Sequence, residues 1–392
     1  MDTSIDRPNP YTPGAGDRPR ALVGRDPQLA LADTVRRQLE AGYAANCLVF
    51  VGLRGVGKTV LLKEIRDRFL AQGWLAVYLQ IRPTVSVQRA FADVATGSAE
   101  QLTAGSRLRR TLKKLAEQGG SLQIMGQGVS LGAGAAPDSY TDLRDVLRTL
   151  CAAAKQDGKG VALIIDELQS LKSKLLSELM HLVFELRDDL PLAFIGGGLT
   201  YLPSRISKAT TSTERLRYEP TDFLAPPDAR EAVEAPAREQ GVHWDRPALD
   251  RVVSIASGYP YFLQLYAYEA WEAARRRGPF VRITAKDVAA GVPEVERQLN
   301  TGLYGARYDK LGTLQREYVV TMARLMASDA RRPRQRVRSA DVAQALGKSL
   351  QDCSPVREGL IHSGLIHSPS HGDLEFSVPG FREYVARRDG DG

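Results

Sequence analysis

The sequence predicts an α/β fold. A parallel sheet flanked by helices is followed by an all-helical segment and then by a C-terminal helical domain with a β-wing. Three observations carry this. CLVFV, residues 47–51, is an apolar run of strand length that leads into GLRGVGKT, and TVLLKEIRDRFLAQG continues as a helix with Val60, Leu61, Ile65 and Phe69 on one face and Gly73 as its stop. VALIIDELQS, residues 161–170, is a second apolar run that ends in two acids, the pattern of a parallel strand buried on both faces. Near the C-terminus, three helical segments precede two short alternating runs.

Composition bounds the rest. With 392 residues, 43% hydrophobic and 25% charged, the chain has room for two or three globular domains. No apolar run reaches the roughly 18–20 residues of a membrane span, and MDTSIDRPNPYTPGAGDRP lacks the apolar centre of a signal peptide. Residues 1–20 read as a mobile, disordered leader, rich in Pro, Gly and Asp. Cys47, Cys151 and Cys353 are far apart and match no disulfide or metal spacing, which fits a cytoplasmic chain with free thiols. The net charge of +7 permits a nucleic-acid partner without requiring one.

GLRGVGKT fits Gly-x4-Gly-Lys-Thr, and the strand before it and helix after it are the context that gives this motif its meaning. Glycines let the backbone turn tightly so that its N–H groups face phosphates. The predicted binding set is Gly52, Gly55, Val56, Gly57, Lys58, Thr59 and Val60, with Lys58 reaching the β- and γ-phosphates of ATP and the Thr59 hydroxyl on Mg²⁺. Acids at the carboxyl end of a buried strand emerge where α/β sheets bind ligands. Asp166 is therefore expected to hold Mg²⁺ through its water shell, and Glu167 to orient or deprotonate the attacking water.

Further strands are expected at WLAVYLQI (74–81), LPLAFIGGG (190–198) and RYEPTDFL (217–224). Gly196, Gly197 and Gly198 stand where many ATPases carry a polar γ-phosphate sensor. Backbone N–H groups or Thr200 are candidate replacements, and a plain tight turn is the preferred reading. RLRRTLKKLAEQGG is a basic helix, either a solvated face or a nucleic-acid contact, and LQIMGQGVSLGAG (122–134) alternates like a hairpin. Residues 225–299 read as a helical lid built from PPDAREAVEAPAREQG, RPALDRVVSIASG and YPYFLQLYAYEAWEAARRRG. In residues 300–392, LQREYVVTMARLMA is followed by an Arg-rich hinge (Arg331, Arg332, Arg334, Arg336), by SADVAQALG with a Ser cap, and by SPVREGLIHSGLI with Ser354 as cap and Pro355 at its first position. HSPSHGDLEFSV then gives two short strands joined at His371-Gly372, and PGFREYVARR a closing helix. This order predicts a winged helix-turn-helix, with Lys348 and Arg357 flanking its recognition helix. Such domains serve either DNA contact or protein docking. His362, His367 and His371 after Cys353 match no standard zinc spacing.

Together these residues resemble the AAA+ ATPases of the archaeal origin-recognition type and their bacterial relatives, which merge with the STAND signalling ATPases. The likeness rests on ALVGRDPQLA (21–30), GLRGVGKT and IIDELQS as Walker A and B motifs, SGYPYFLQ (257–264) as the lid's Gly-x-Pro motif, and GLIHSPSHGDLEFSVPGFREYV as the winged helix. It implies a P-loop NTPase core over 21–224, with Gly24 and Arg25 beside the adenine and Pro260 at the boundary of lid and nucleotide. It also implies an arginine finger shortly before the last core strand, for which Arg205 and Arg215 are candidates and Arg215 is preferred as a catalytic residue beside Lys58 and Glu167. Where replication-type members place a sensor arginine in the lid, this chain has Tyr259 and Pro260, as STAND proteins do. The resemblance implies an ATP-driven switch that binds duplex DNA through its winged helix, or alternatively a STAND-like signalling ATPase docking a protein partner, or a loader of a DNA-processing partner. Assembly into an ATP-dependent homo-oligomer is part of the same expectation, and no membrane is involved.

Overall fold

A computed structural model describes residues 7–14, 16–81, 95, 98–117, 140–328 and 336–390. The predicted hairpin at 122–134 and residues Arg331, Arg332 and Arg334 lie outside them. The chain forms two compact units: residues 25–52 with 57–221, and residues 1–24 with 53–56 and 222–392.

The first unit is the α/β core. It contains α1 (Asp26–Glu40), β1 (Cys47–Val51), α2 (Lys58–Ala71), β2 (Leu75–Gln80), α3 (Arg107–Glu117), α4 (Tyr140–Gln156), β3 (Val161–Asp166), α5 (Ser173–Arg187), β4 (Leu192–Gly198), α6 (Leu202–Ala209) and β5 (Leu216–Pro220). The five strands are all parallel, in the order β2-β3-β4-β1-β5. β3 and β4 are buried at every residue, which is why both read as unbroken apolar runs. Pro191 sits just before β4, where its missing N–H interrupts no ladder. The last strand begins one residue earlier than the sequence suggested and stops at Pro220, so Thr221–Leu224 are not part of it. Every core strand thus ends near the same edge, and that edge carries both the glycine loop after β1 and Asp166 at the end of β3.

The second unit holds α7 (Pro226–Glu239), β6 (His243–Trp244), α8 (Arg246–Ala256), α9 (Pro260–Arg276), β7 (Arg282–Ile283) and α10 (Ala285–Gln298). The lid is therefore not wholly helical, because β6 and β7 pair in parallel. A π-helical run (Leu299–Gly305) and one helical turn (Ala306–Tyr308) follow. Beyond them lie α11 (Thr313–Ser328), β8 (Arg336–Arg338), α12 (Ser339–Ala345), α13 (Leu350–His362), β9 (Ile366–His367), β10 (Asp373–Phe376) and α14 (Phe381–Gly390), with an antiparallel sheet ordered β8-β10-β9. One continuous hydrophobic core runs through lid and C-terminal domain, from Trp271 and Leu263 to Tyr304, Met322 and Phe381.

Two local expectations are corrected here. α13 starts at Leu350, not after Ser354. Ser349 and Asp352 form a reciprocal capping box that satisfies the first turn, and Pro355 lies inside the helix on its exposed side, where it removes one ladder bond. In α12, Ser339 is the first helical residue and Arg338 the cap position, without a side-chain bond.

The leader is also corrected. Tyr11 is 2% exposed. Its hydroxyl donates to the Val233 carbonyl at 2.6 Å and accepts from Trp244 Nε1 at 2.9 Å, and its ring meets Trp244 and Trp271 edge-on. Asn9 donates to the Tyr268 carbonyl and to Glu272. A single aromatic anchor outweighs the polar composition around it. Tyr11→Phe is expected to leave the buried Trp244 N–H unsatisfied and to cost about 1–3 kcal/mol of unfolding free energy in denaturant titration.

Candidate nucleotide-binding site

The loop between β1 and α2 owes its shape to two left-handed residues, Gly55 (φ 79°) and Gly57 (φ 92°), the latter serving as the cap position of α2. Lys58 is 6% exposed and its Nζ donates to the Gly52 carbonyl at 2.9 Å. The ammonium is thus turned back over the loop it belongs to.

Asp166 is fully buried and fully engaged. Thr59 Oγ1 donates to its Oδ2 at 2.6 Å, Tyr78 Oη donates to the same oxygen at 3.1 Å, and the Glu167 N–H donates to Oδ1 at 2.9 Å. Burial first, and then the Asp166 charge, push the Tyr78 hydroxyl far above its ordinary range, so it remains a proton donor. Thr59 and Asp166 present only oxygen donors, as Mg²⁺ requires. No cluster of three acidic, His or Cys ligands exists among the described residues, so the donor set suits an ion that keeps its waters and leans on phosphate oxygens.

Glu167 takes a left-handed conformation (φ 58°) immediately after β3, which turns its carboxylate away from the strand. Gln169 Nε2 donates to that carboxylate, and Gln169 Oε1 accepts from the Leu199 N–H at 3.2 Å. Gln169 thereby ties the acid to the end of β4, and Arg205 donates to the Gln169 and Leu171 carbonyls. Tyr78 and Gln169 were not singled out in the sequence. Only the polar side chains at the carboxyl ends of apolar runs hinted at them.

The glycines at the tip of β4 are explained by packing. A Cβ on Gly197 would lie 2.7 Å from Leu62, and one on Gly198 would lie 2.5 Å from Leu202 and 2.7 Å from Gln169 Oε1. Thr200 is exposed.

The two arginine-finger candidates separate. Arg205 is consumed by the two carbonyls just named. Arg215 precedes β5, whose first residue pairs with Cys47 at the start of β1, so it stands at the sheet edge opposite the loop. There it donates to Asp188 at 2.8 Å and to the Phe184 carbonyl at 3.3 Å. Arg215 is thus engaged at the end of the sheet away from the loop.

In the other unit, Gly24 (φ 69°) lies against Asp228, whose carboxylate would be 2.8 Å from a Cβ there. Arg25, at the cap position of α1 in the core unit, is 5% exposed. Pro260 opens α9, but its neighbour Tyr259 makes the contact with the loop: Tyr259 Oη donates to the Arg54 carbonyl at 2.8 Å. The loop tip, residues 53–56, packs with this unit, and Val56 is 1% exposed in its core.

Residues 21–195 match the AAA ATPase domain family, and residues 301–385 match a domain of unknown function, DUF8462. No curated protein matches the sequence. Among solved structures, the chain is similar to a Walker-type ATPase of Pyrococcus abyssi at TM-score 0.63 and 13% identity, covering 98% of this chain and 99% of that chain. It is also similar to the ORC1 protein of Aeropyrum pernix, solved in complex with DNA, at TM-score 0.45 and 17% identity over 95% of this chain and 94% of that one. The RuvB Holliday junction branch migration motor of Thermotoga maritima matches at TM-score 0.47 and 16% identity over 91% and 95%. The core is a P-loop NTPase fold, and the match to the AAA ATPase domain model falls on it.

Proposed function

We propose that the chain is an ATP-hydrolysing switch of the AAA+/STAND type, in which the nucleotide state of the loop governs the lid and the C-terminal domain. The observation that carries this is the hydrogen bond from Tyr259, in the lid, to the backbone of Arg54 at the tip of the phosphate loop. A lid side chain bonded to the loop's main chain responds to any change of loop conformation. In this reading Lys58 binds the β- and γ-phosphates, Thr59 and Asp166 hold Mg²⁺, and Glu167 orients and deprotonates the attacking water. Bound Mg²⁺ neutralises charge on the phosphate oxygens. Gln169 holds the Glu167 carboxylate until substrate arrives. Gly24, Arg25 and Pro260 frame the adenine, and Arg215 serves a neighbouring copy in an ATP-dependent homo-oligomer.

We read the C-terminal domain as a winged helix whose output is a protein contact rather than duplex DNA. The exposed residues of α13 are Leu350, Gln351, Asp352, Pro355, Glu358 and His362. Two carboxylates and no lysine or arginine on that face oppose a phosphate backbone. Lys348 is paired with Glu317, Arg336 with Glu375, and Arg357 with the Ser354 hydroxyl. Burial keeps His367 below its ordinary range, hence neutral near pH 7, despite Glu375 beside it.

The test uses the full chain: ATP turnover, and duplex affinity at several salt concentrations with and without ATP. Slow turnover with only weak duplex binding that ignores nucleotide is expected. Duplex affinity that falls steeply with salt and changes with nucleotide would replace the protein output by DNA. Absence of turnover would remove the hydrolytic reading.

A further inference from the structure

The core unit carries a cavity at the end of its sheet away from the glycine loop, where the strands begin. Every residue that lines it belongs to that unit. α1, α4 and α5 end around it, and the segments leading into β1, β3 and β4 complete its wall. Its volume is about 250 Å³. Leu39, Ala44, Leu190 and Pro191 give it an apolar side, and Tyr43, which also lines it, is 70% exposed. Three cations face the same space: Lys155, Lys159 and Arg187. Arg187, the last residue of α5, has a side chain only 9% exposed, and its Nε is buried with no hydrogen-bond partner among the described residues. The Asp188 carboxylate stands 3.8 Å from that nitrogen, beyond hydrogen-bond reach, and is held at 2.8 Å by Arg215. Lys159 likewise shares Glu40, at 3.5 Å, with Arg36, at 2.8 Å. Lys155 donates to the Asp189 carbonyl, which bears no full charge, and the Asp189 side chain is exposed. Cys47, within electrostatic reach of Arg187, supplies no counter-charge, because burial pushes its thiol up to about 12.

Helix C-termini attract cations. The final carbonyls of α1 and α4, however, are already met by their own closing turns, in which the N–H groups of Gly42 and Gly158, both left-handed, bond to Leu39 and Lys155. A buried guanidinium donor left unmatched is costly, and the group that matches it best is an anionic oxygen. Two features select among anions. Each neighbouring acid is divided between two cations, so the positive surplus is small and suits a singly charged carboxylate better than a phosphate dianion. The apolar side of the cavity suits a ligand with an apolar body.

We propose that this cavity binds a small organic carboxylate, whose oxygens accept from Arg187 and Lys155 and whose apolar body lies against Leu39, Leu190 and the Tyr43 ring. The site is separate from the phosphate loop and stands whether or not the nucleotide reading does.

The experiment titrates the full chain with benzoate, with the uncharged benzyl alcohol and with inorganic phosphate, by calorimetry at low salt, and melting curves confirm that each variant is folded. Benzoate is expected to bind with a dissociation constant on the order of 1 mM, as its size allows, and to bind more tightly than either of the others. Arg187→Gln should weaken benzoate by at least about 10-fold, the loss of a charge-assisted hydrogen bond. Lys155→Ala and Tyr43→Ala, both at exposed positions, should each weaken it by about 2- to 5-fold and carry the test should Arg187→Gln unfold. Four results overturn the proposal. Benzoate does not bind, or binds Arg187→Gln, Lys155→Ala and Tyr43→Ala as it binds wild type. Benzyl alcohol binds as well as benzoate, so that the cavity reads no charge. Phosphate binds as well as benzoate and loses as much in Arg187→Gln, so that the site takes inorganic anions. Benzoate binding disappears in Lys58→Ala and persists in Arg187→Gln, which would move it to the phosphate loop.

Discussion

Glu167→Gln is expected to hold ATP at near-native affinity and to lose turnover by about 10²- to 10⁴-fold, the usual worth of a positioned general base. The substitution is close to isosteric and leaves the rest of the site standing. The Glu167 N–H still donates to Asp166, and Thr59 and Tyr78 still hold the opposite oxygen. Glutamine bears the left-handed backbone at this position no worse than glutamate, since both carry the same unbranched Cβ. What disappears is the proton acceptor. Steady-state hydrolysis and equilibrium binding of the same preparation separate the two effects. Turnover equal to wild type would remove Glu167 as the base, and a parallel loss of affinity would mean that its charge supports the loop rather than the chemistry.

Much of the core was legible because its signals are local. A strand buried on both faces must be apolar throughout, so Val161–Asp166 announced itself, and the acid at its end marked the ligand edge. The loop was legible because phosphate binding needs glycine and lysine at fixed spacing. What escaped depends on contacts distant in sequence. The slot that receives Tyr11 is built by Val233, Trp244 and Trp271, more than 200 residues away, and nothing in a Pro- and Gly-rich leader announces it. The start of α13 was misplaced because Ser354-Pro355 carries the same local signature as a true helix start, while the cap that wins is Ser349 with Asp352. Gln169 owes its place to the backbone at the end of β4, which the sequence near it does not record. Tyr259 was visible only as the replacement for a missing arginine. Its function lies in a bond to a carbonyl 205 residues earlier in the chain.

That bond makes Gly55 the most constrained residue of the loop. Gly55→Ala is expected to destabilise the nucleotide-free protein by about 2–5 kcal/mol, the sum of a left-handed backbone on an alanine and an overpacked contact. It is also expected to lower nucleotide affinity, because any relief tilts the N–H groups that face phosphate. The new Cβ would lie 2.0 Å from Tyr259 Oη and 2.5 Å from its Cζ. Tyr259 cannot simply swing aside. It is 1% exposed, with Phe262 at 4.8 Å and Phe223 at 5.3 Å between ring centroids. Gly57 supplies the contrast, since its backbone is equally left-handed yet a Cβ there meets nothing within 4 Å. Gly57→Ala should therefore lose only the conformational part, about 1–2 kcal/mol, in the nucleotide-free protein. A double-mutant cycle isolates the steric part: adding Tyr259→Ala to Gly55→Ala should recover about 1–3 kcal/mol relative to additivity, while the same addition to Gly57→Ala should recover nothing. Equal costs at the two glycines, or no coupling with Tyr259, would mean that the lid does not press on the loop, and the switch would then lose the contact on which it is argued.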